Sequence, residues 1–209
     1  MRIFHFLIFI FIISFFTSCG ENDIISDETP PDPAPWRNHR YDYSNTGYYH
    51  GYGPTQGVIV DTINIGRINE GATPVFDKNG NLYIANEDGI SYKIDSNHSI
   101  VWSVDLDTRI SGSASVLDSI VVWASKDKFI FDISTHDGSV NWTIDIGDET
   151  VNPPIIHTEL QFGVLTTLHG LLYIFDLNGN VIKNIDLGEN NILDFIPVPA
   201  IDEDGNIYV

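Results

Sequence analysis

A unit of about 41 residues recurs in this chain, and this repeat limits the possible folds more than any other feature of the sequence. Three segments align on one pattern of apolar residues and aspartate: IVWSVDL at 100–106, VNWTIDI at 140–146 and VIKNIDL at 181–187. Trp102, Trp142 and Lys183 hold one column of this alignment and are 40 and 41 residues apart. A repeat of this length that is filled with strands is typical of a β-propeller, in which one unit forms one blade.

Within each unit the residues alternate as they do in strands. In the first unit a short apolar run at 81–85 follows an Asn-Gly turn, residues 90–95 alternate in polarity, and residues 100–106 form a third alternating run. β-branched and aromatic residues dominate these runs, and Gly and Asn bound them. We therefore predict an all-β chain of four-stranded antiparallel blades. A weaker strand is predicted at the start of each unit, within Gly71–Phe76, Ser113–Leu117 and Pro154–His157.

The turns and strands together carry a recognisable pattern. An Asp-Gly turn opens the run Asp88–Asp95, and related runs stand at Asp132–Trp142 and His169–Gly179. This pattern resembles the PQQ-binding-like β-propeller repeat, which quinoprotein dehydrogenases share with many non-enzymatic envelope proteins. The resemblance covers about Trp36–Val209.

The resemblance also implies roles for single residues and a size for the ring. In that family the Trp of each unit docks on the neighbouring blade, which implies structural docking roles for Trp102 and Trp142, while Asp61 and Lys183 depart from this column. Propellers of this family close with seven or eight blades, whereas residues 71–209 hold roughly 3.5 units. We therefore expect a partial propeller and a chain that belongs to a longer reading frame. The predicted repeats are 71–111, 112–151, 152–196 and 197–209, the last incomplete.

The N-terminus carries a targeting signal. Residues 3–16 are almost wholly apolar, a run too short for a transmembrane helix but suited to the apolar core of a signal peptide. Thr17, Ser18 and Cys19 follow directly, and Cys19 is the one cysteine of the chain. Small residues before a lone Cys resemble the bacterial lipobox, which implies a signal peptide at 1–18 and lipid attachment at Cys19. The alternative is an ordinary signal peptide with an incidental Cys.

Two further segments separate Cys19 from the repeats. Residues 19–35 contain acidic residues and prolines with few apolar residues, so they are predicted to form an extended tether. Residues 36–70 are predicted to form an aromatic lead-in and a first propeller strand at Val58–Ile65. The lipobox and the acidic tether together imply a lipid-anchored protein of the Gram-negative outer membrane, facing the periplasm or the cell surface.

The charge of the chain narrows the list of partners. It has 10 Lys and Arg residues against 29 Asp and Glu residues, a net charge of −19 at pH 7. A chain with this excess of negative charge is repelled by nucleic acid and by anionic lipid surfaces. Contact with a membrane is therefore expected through the lipid anchor, and nucleic acid is not expected as a partner.

Acidic turns between the strands resemble calcium loops, because they place oxygen ligands at alternate positions before a Gly. Asn-Gly or Asp-Gly between apolar runs is also the strongest hairpin signal, and these turns lack the downstream bidentate Glu in register. We interpret them as hairpin turns and keep calcium as the alternative. The candidate ligands are Asp77, Asn79, Asn81, Asp202, Asp204 and Asn206, and a similar turn lies at 176–180.

Aromatic residues cluster in the lead-in. Such rings could stack on a sugar or anchor a protein partner, but packing of the lead-in against the propeller is favoured. The set comprises Trp36, Tyr41, Tyr43, Tyr48, Tyr49 and Tyr52. The histidines show neither metal-ligand spacing nor a nucleophile motif, so isolated turn or edge positions are predicted for them. The six that follow the predicted signal peptide are His39, His50, His98, His136, His157 and His169.

Two classes of function fit these features. The first is a non-catalytic lipoprotein whose propeller is a rigid scaffold for an unknown envelope protein or ligand, as in the propeller lipoprotein of the outer-membrane barrel-assembly machinery. The second is a quinoprotein dehydrogenase, for which the resemblance implies PQQ on the propeller axis above a Trp, with a Ca²⁺ ion and an Asp base. Those enzymes often carry a vicinal disulfide, and a single Cys cannot form one. The sequence therefore favours a scaffold without catalytic residues or a cofactor.

Overall fold

Short antiparallel β-strands carry the fold of the computed structural model, which describes residues 36–48, 56–69, 72–110, 112–188 and 197–209. All of these residues belong to one unit, Pro33–Val209. Cys19, the tether, Tyr49 and Tyr52 lie outside the described residues. Among the described residues, no helix has the length and apolar character needed to cross a membrane.

The strands form three complete blades and part of a fourth. Each complete blade is a four-stranded antiparallel sheet in which sequence neighbours pair. Blade 1 contains β1 (Val75–Phe76), β2 (Leu82–Ala85), β3 (Ile90–Ile94) and β4 (Ile100–Asp105). Blade 2 contains β5 (Ser115–Val116), β6 (Ile120–Ala124), β7 (Phe129–Ser134) and β8 (Val140–Asp145). Blade 3 contains β9 (Ile155–His157), β10 (Phe162–Thr166), β11 (Leu171–Asp176) and β12 (Val181–Asp186), and blade 4 contains β13 (Ala200–Ile201) and β14 (Ile207–Tyr208).

Each blade falls within one predicted repeat, and the outer strand pair has the same irregularity in all three complete blades. The register shifts by one residue after Lys93, Asp132 and Ile174, which hold equivalent positions in β3, β7 and β11. A bulge at a fixed position bends and twists the outer strand in the same way in each unit. The predicted fold class, a partial β-propeller of four-stranded antiparallel blades, is confirmed.

One predicted strand is not assigned in the structure. Residues 58–65 were expected to form the first propeller strand, but none of them is in a strand. A strand is defined by backbone pairing, and among the described residues no strand pairs with this segment. It follows the edge of blade 1 through single contacts, including a hydrogen bond from Asn86 Nδ2 to the Ile65 carbonyl.

The hydrophobic core lies between the blades. Val121 and Trp123 of β6 pack in a cluster shared with blade 1, whereas Val122 and Ala124 of the same strand pack in a cluster shared with blade 3. A third cluster joins blade 3 to Ile201 of blade 4. Successive side chains of a strand point to opposite faces, so a strand that is buried on both faces has a continuous apolar run.

A Trp reaches across each of two blade junctions. The Trp102 indole lies over the turn of blade 2 that ends at Gly138, and its Nε1 donates a hydrogen bond to the Thr135 carbonyl at 3.2 Å. The Trp142 indole lies over the equivalent turn of blade 3 at Gly179 and donates to the Leu177 carbonyl at 3.0 Å. Both glycines have positive φ, and a Cβ at either position would lie within 3.0 Å of the ring. The junction therefore requires Gly for its backbone conformation and for the space that the indole occupies.

The lead-in crosses the inner edges of all four blades. The first strand of each blade is an edge strand, with β5 lying between β1 and β9. One backbone N–H at the equivalent position of each inner strand donates to an acceptor of the lead-in. The four bonds are Phe76 N to Trp36 O at 2.6 Å, Val116 N to Arg37 O at 2.7 Å, Ile156 N to Asn38 Oδ1 at 3.2 Å and Ile201 N to Tyr43 O at 2.8 Å.

We predict that Gly179→Ala destabilises the chain more than Gly80→Ala does. Both glycines have φ near +80°, so the backbone penalty is shared, but Gly80 has open space where its Cβ would lie and Gly179 has the Trp142 ring at 2.8 Å. Overpacking of this kind costs about 1–3 kcal/mol beyond the shared penalty. Chemical denaturation of both variants measures the difference, and equal losses would show that the indole does not press on Gly179.

Candidate functional site

A cleft of about 260 Å³ opens beside the lead-in, where it passes from blade 2 to blade 3. Its walls combine two tyrosines with charged and amide side chains, a mixture that suits a small polar ligand or a side chain of a partner. The lining residues are Arg37, Asn38, Tyr41, Asp42, Tyr43, Thr158 and Glu159.

The lead-in side of the cleft has an unusual backbone. Arg40 and Tyr41 both have positive φ, 54° and 86°, a conformation that side chains with a Cβ rarely adopt. A backbone pair between Asn38 and Tyr41 closes this turn, with N to O distances of 3.4 and 3.1 Å. The Tyr41 ring meets Trp36 edge to face, with a centroid distance of 5.5 Å. Strained residues persist where the surrounding structure determines them, and such positions cluster at functional sites.

Tyr43, which lines the cleft, belongs to a stack of three rings. Tyr43 lies flat on His157, with centroids 4.3 Å apart, and His157 lies on Phe162 at 5.7 Å. His157 is 1% exposed, its Nδ1 accepts from the Leu160 N–H at 3.2 Å, and its Nε2 lies 3.2 Å from the Asp202 carbonyl. These partners require a neutral ring protonated on Nε2, which therefore donates to blade 4.

The charges around the cleft are mainly negative. The Arg37 guanidinium is engaged with Asp118 at 3.3 Å, and Asp42 accepts bonds from the Thr46 amide and hydroxyl. Glu159 Oε2 lies 3.3 Å from His157 Nδ1, but both atoms are acceptors in this tautomer, so the pair is not an ion pair. The cleft is therefore suited to ligands that donate hydrogen bonds rather than to anions.

Desolvation raises the pKa of Tyr43 above its ordinary value, and the nearby carboxylates of Glu159, Glu203 and Asp42 raise it further. The phenol of Tyr43 therefore remains protonated at neutral pH and keeps its hydrogen-bond donor.

The described aromatic residues of the lead-in lie in different surroundings. Trp36 packs on the cluster between blades 1 and 2, and Tyr43 packs on the cluster between blades 3 and 4. Tyr48 is 61% exposed, and Tyr41 lines the cleft. Tyr41 and Tyr43 are therefore brought together with polar groups around one cavity.

Sequence reasoning missed Asn38, which is 2% exposed. Its Oδ1 accepts from the Ile156 N–H and contacts the Ser115 hydroxyl, so one amide oxygen serves blades 2 and 3 together. No local pattern marks this residue, because both partners are more than 70 positions away. The one feature of the sequence that could have drawn attention to Asn38 is that it is a polar residue within an aromatic segment.

A second polar contact that the sequence did not indicate involves His39. Its Nδ1 lies 3.4 Å from Thr73 Oγ1 and 3.5 Å from Ser113 Oγ, and the two hydroxyls are 2.7 Å apart. Burial, with a smaller contribution from the Arg40 charge, lowers the pKa of His39, so the ring is neutral at pH 7. These distances are at the long limit of hydrogen bonding and do not indicate an activated hydroxyl.

The candidate calcium turns are closed by their own hydrogen bonds. Asp77 accepts from the Asn79 and Asn81 backbone amides, from Asn81 Nδ2 and from the Tyr83 hydroxyl, at 2.7 to 3.0 Å. Burial raises the pKa of Asp77, but these bonds outweigh it and leave the pKa below its ordinary value. The turn from Asp202 repeats the arrangement with Asp204, Asn206 and Tyr208. Among the described residues no three His, Cys, Asp or Glu side chains are grouped to hold a metal.

A buried carboxylate lies at the junction of blades 2 and 3. Asp132 is 2% exposed, its Oδ2 accepts from Asn141 Nδ2 at 3.3 Å, and its Oδ1 has no hydrogen-bond partner. Burial, only partly opposed by the Asn141 bond, raises the pKa of Asp132 to about 6. In blade 1 the equivalent residue, Lys93, donates to the Thr135 carbonyl across the junction, an interaction that a carboxylate cannot make.

Comparison with solved structures shows the fold. BamB from Moraxella catarrhalis superposes with a TM-score of 0.57 at 16% identity, over 70% of this chain and 44% of BamB. A europium-containing methanol dehydrogenase gives 0.61 at 12% identity, over 82% of this chain and 34% of the enzyme. The quinohemoprotein alcohol dehydrogenase from Comamonas testosteroni gives 0.56 at 14% identity, over 73% and 27%.

The superposition on these structures agrees with the partial propeller that the repeat pattern predicted, so that prediction is confirmed for the fold. The chain spans less than half the length of each of the three structures. No family model matches the chain, and no curated protein sequence matches it. At these identities the likeness is one of fold, and it includes both BamB and dehydrogenases.

We predict that Asn38→Ala lowers the free energy of unfolding by about 1–3 kcal/mol, because it leaves the buried Ile156 amide without its acceptor. Asn79→Ala is the matched control, since Asn79 is exposed in a turn and a substitution there changes stability by about 0.5 kcal/mol or less. Urea denaturation measures both. A loss at Asn38 no larger than that at Asn79 would show that the Asn38 side chain does not help to join the blades.

We predict that Asp132→Asn stabilises the chain at pH 7.5 and has little effect at pH 4. The native pKa of about 6 lies above the ordinary value of 3.8, so the folded state holds its proton longer and wild-type stability falls as pH rises from about 4 to about 6. Removing the charge should recover on the order of 2 kcal/mol above pH 6. Thermal denaturation across this pH range measures the effect.

The control for this prediction is Asp95→Asn, the same substitution at an exposed turn. Hydrogen bonds, first of all from the Ser99 amide, lower the pKa of Asp95, so its charge stabilises the fold at neutral pH. Asp95→Asn should therefore lose stability at pH 7.5, the opposite sign. A loss of stability at pH 7.5 in Asp132→Asn as well would show that Asp132 is not a destabilising buried charge.

Proposed function

We propose that the protein is an envelope-anchored lipoprotein whose β-propeller is a non-catalytic scaffold for a protein or ligand partner. Lipid attachment at Cys19 is part of this proposal and is motivated by the apolar run that ends in Thr17, Ser18 and Cys19. The acidic tether would hold the propeller away from the outer membrane.

The observation that carries the proposal is the path of the lead-in. In the quinoprotein alternative the cofactor lies on the propeller axis, and its site must present free donors or open space there. In this chain one N–H of each inner strand, β1, β5, β9 and β13, donates to the lead-in instead. The chain therefore uses its axial edge for internal structure, which favours a scaffold over an enzyme.

The turns that resemble calcium loops also favour a scaffold. A calcium site needs several carboxylate or carbonyl oxygens directed at one point. The carboxylates of Asp77, Asp176 and Asp202 each accept hydrogen bonds from two backbone amides of their own turn. The buried carboxylate of Asp132 contacts a single amide and lies within an apolar junction.

The cleft beside the lead-in is the best candidate for the scaffold's contact with its partner. It joins an exposed rim at Thr158 and Glu159 to the two tyrosines, and its excess of carboxylates favours a partner that presents amine, amide or hydroxyl donors. A rigid propeller wall and a polar rim are the features of a small, specific contact surface.

Site-specific cross-linking in intact cells tests this function. A photoreactive residue in place of Thr158, at the rim of the cleft, should cross-link the chain to an envelope component. The same residue in place of Asp137, in an exposed outer turn, should not give that product. In a Cys19→Ser background the chain should lose its lipid mass increment, leave the membrane fraction and lose the Thr158 cross-link.

Two results would contradict the proposal. The first is a Cys19→Ser chain that remains lipid-modified and membrane-bound, which would show that Cys19 is not the site of lipid attachment. The second is saturable binding of PQQ with Ca²⁺ to the purified chain together with dye-linked alcohol oxidation, which would establish the quinoprotein alternative.

A further inference from the structure

Two segments of the chain match the acceptor sequence for N-linked glycosylation, in which an Asn is followed two positions later by Ser or Thr with a residue other than Pro between them. They are Asn97-His98-Ser99 and Asn141-Trp142-Thr143. A transferase can use such a segment only where the Asn lies on an accessible surface loop of a secreted protein. The local structure therefore decides which of the two segments can act as an acceptor.

The first segment lies in an exposed turn. Residues 95–99 connect β3 to β4 in blade 1, and residues 96–99 are all exposed. The turn is closed by hydrogen bonds from the Asp95 N–H to the Ser99 carbonyl and from the His98 N–H to the Asp95 carbonyl, both at 2.9 Å. Asn97 and Ser99, the two residues that define the acceptor, are therefore both accessible from solvent.

One carboxylate orders both ends of this acceptor. Asp95 Oδ1 accepts from the Asn97 and Ser99 backbone N–H groups, each at 2.9 Å. These bonds, first of all that from Ser99, keep the pKa of Asp95 below its ordinary value, so the carboxylate is charged at neutral pH. Asp95 also stands two positions before Asn97, which is the place of the acidic residue in bacterial forms of this acceptor sequence.

The second segment is held in a strand. Residues 141–143 lie in β8, which pairs with β7. Asn141 Nδ2, the atom to which a sugar would be attached, donates to the buried Asp132 carboxyl at 3.3 Å, and the Trp142 indole donates to a carbonyl of blade 3. Ser139, not an acidic residue, stands two positions before Asn141. Use of this segment as an acceptor would therefore require β8 to leave its sheet.

We propose that Asn97 is an N-glycosylation site and that residues 95–99 are the acceptor segment. In this reaction Asn97 Nδ2 attacks the anomeric carbon of a sugar that is activated as a diphosphate ester of a polyprenol. The new C–N bond replaces the C–O bond to the diphosphate, which leaves with the electron pair, and a base of the transferase takes one proton from Nδ2. The proposal rests on export to the envelope, which the proposed function requires, but not on the lipid anchor or on the partner of the propeller.

The position of Asn97 gives the glycan a physical effect on blade 1. β4 begins directly after the acceptor segment and is an edge strand, and its first two residues, Ile100 and Val101, are 47% and 49% exposed. Edge strands with exposed apolar residues promote association between chains. A bulky, hydrophilic glycan at the adjacent turn opposes such association. None of residues 95–99 lines the cleft beside the lead-in, so the modification does not alter the residues of that candidate contact.

Mass spectrometry of the full-length chain, purified from the cells that produce it, tests the site. Trypsin places the two acceptor segments in different peptides, 94–109 and 129–183. Peptide 94–109 should carry a mass increment made up of sugar residues, and electron-transfer fragmentation should place that increment on Asn97. Peptide 129–183 should have its unmodified mass.

Four substitutions, each produced in the same cells, separate enzymatic transfer to Asn97 from other modifications of this turn. Asn97→Gln and Ser99→Ala should each lower the modified fraction of peptide 94–109 at least about tenfold, because the transferase needs both the amide and the hydroxyl. Ser99→Thr keeps a hydroxyl and should retain the glycan, and Asn141→Gln should leave it unchanged. A sugar increment that survives Asn97→Gln or Ser99→Ala would overturn the proposal, as would an increment on peptide 129–183 equal to that on peptide 94–109.

The Cys19→Ser chain keeps this test separate from the test of the proposed function. It should lose the lipid and retain the glycan, because transfer requires export but not the anchor. A lipid-modified chain whose peptide 94–109 is unmodified overturns the glycosylation site and leaves the proposed function intact. A glycosylated chain without lipid contradicts the anchor alone, and a chain with neither lipid nor sugar contradicts both.

Discussion

The hydrogen bonds between the lead-in and the four inner strands are the constraint on which this arrangement depends. An edge strand exposes backbone donors, and four adjacent edges around an axis would expose a column of them. Trp36, Arg37, Asn38 and Tyr43 supply one acceptor each to that column. All four bonds are made by one short segment, residues 36–43. If one blade moves away from its neighbours, it must break its bond to this segment, because the other three blades hold the segment in place. The lead-in therefore couples blades that otherwise contact only their immediate neighbours.

The contacts that join neighbouring blades differ from one junction to the next. Two of them place an indole on a glycine turn, which buries apolar area and satisfies the indole N–H in one contact. The junction of blades 3 and 4 has the exposed Lys183 in that column, and there the buried His157, stacked between Tyr43 and Phe162, reaches the Asp202 carbonyl instead. The repeat therefore preserves the geometry of the blade and not the chemistry of the junction.

The sequence was sufficient for the features that depend on local pattern. Alternation of apolar residues predicted the second, third and fourth strands of blades 1 to 3, whereas the first strand of each blade had only a weak pattern. The spacing of Trp102 and Trp142 placed them in one column. It was not sufficient for contacts between distant positions. Asn38 looks like an ordinary polar residue until Ser115 and Ile156 are placed beside it, and His157 was expected at a turn or an edge but is buried. The strand predicted at Val58–Ile65 failed for a related reason, because its pattern is that of a strand but strand structure also requires a partner.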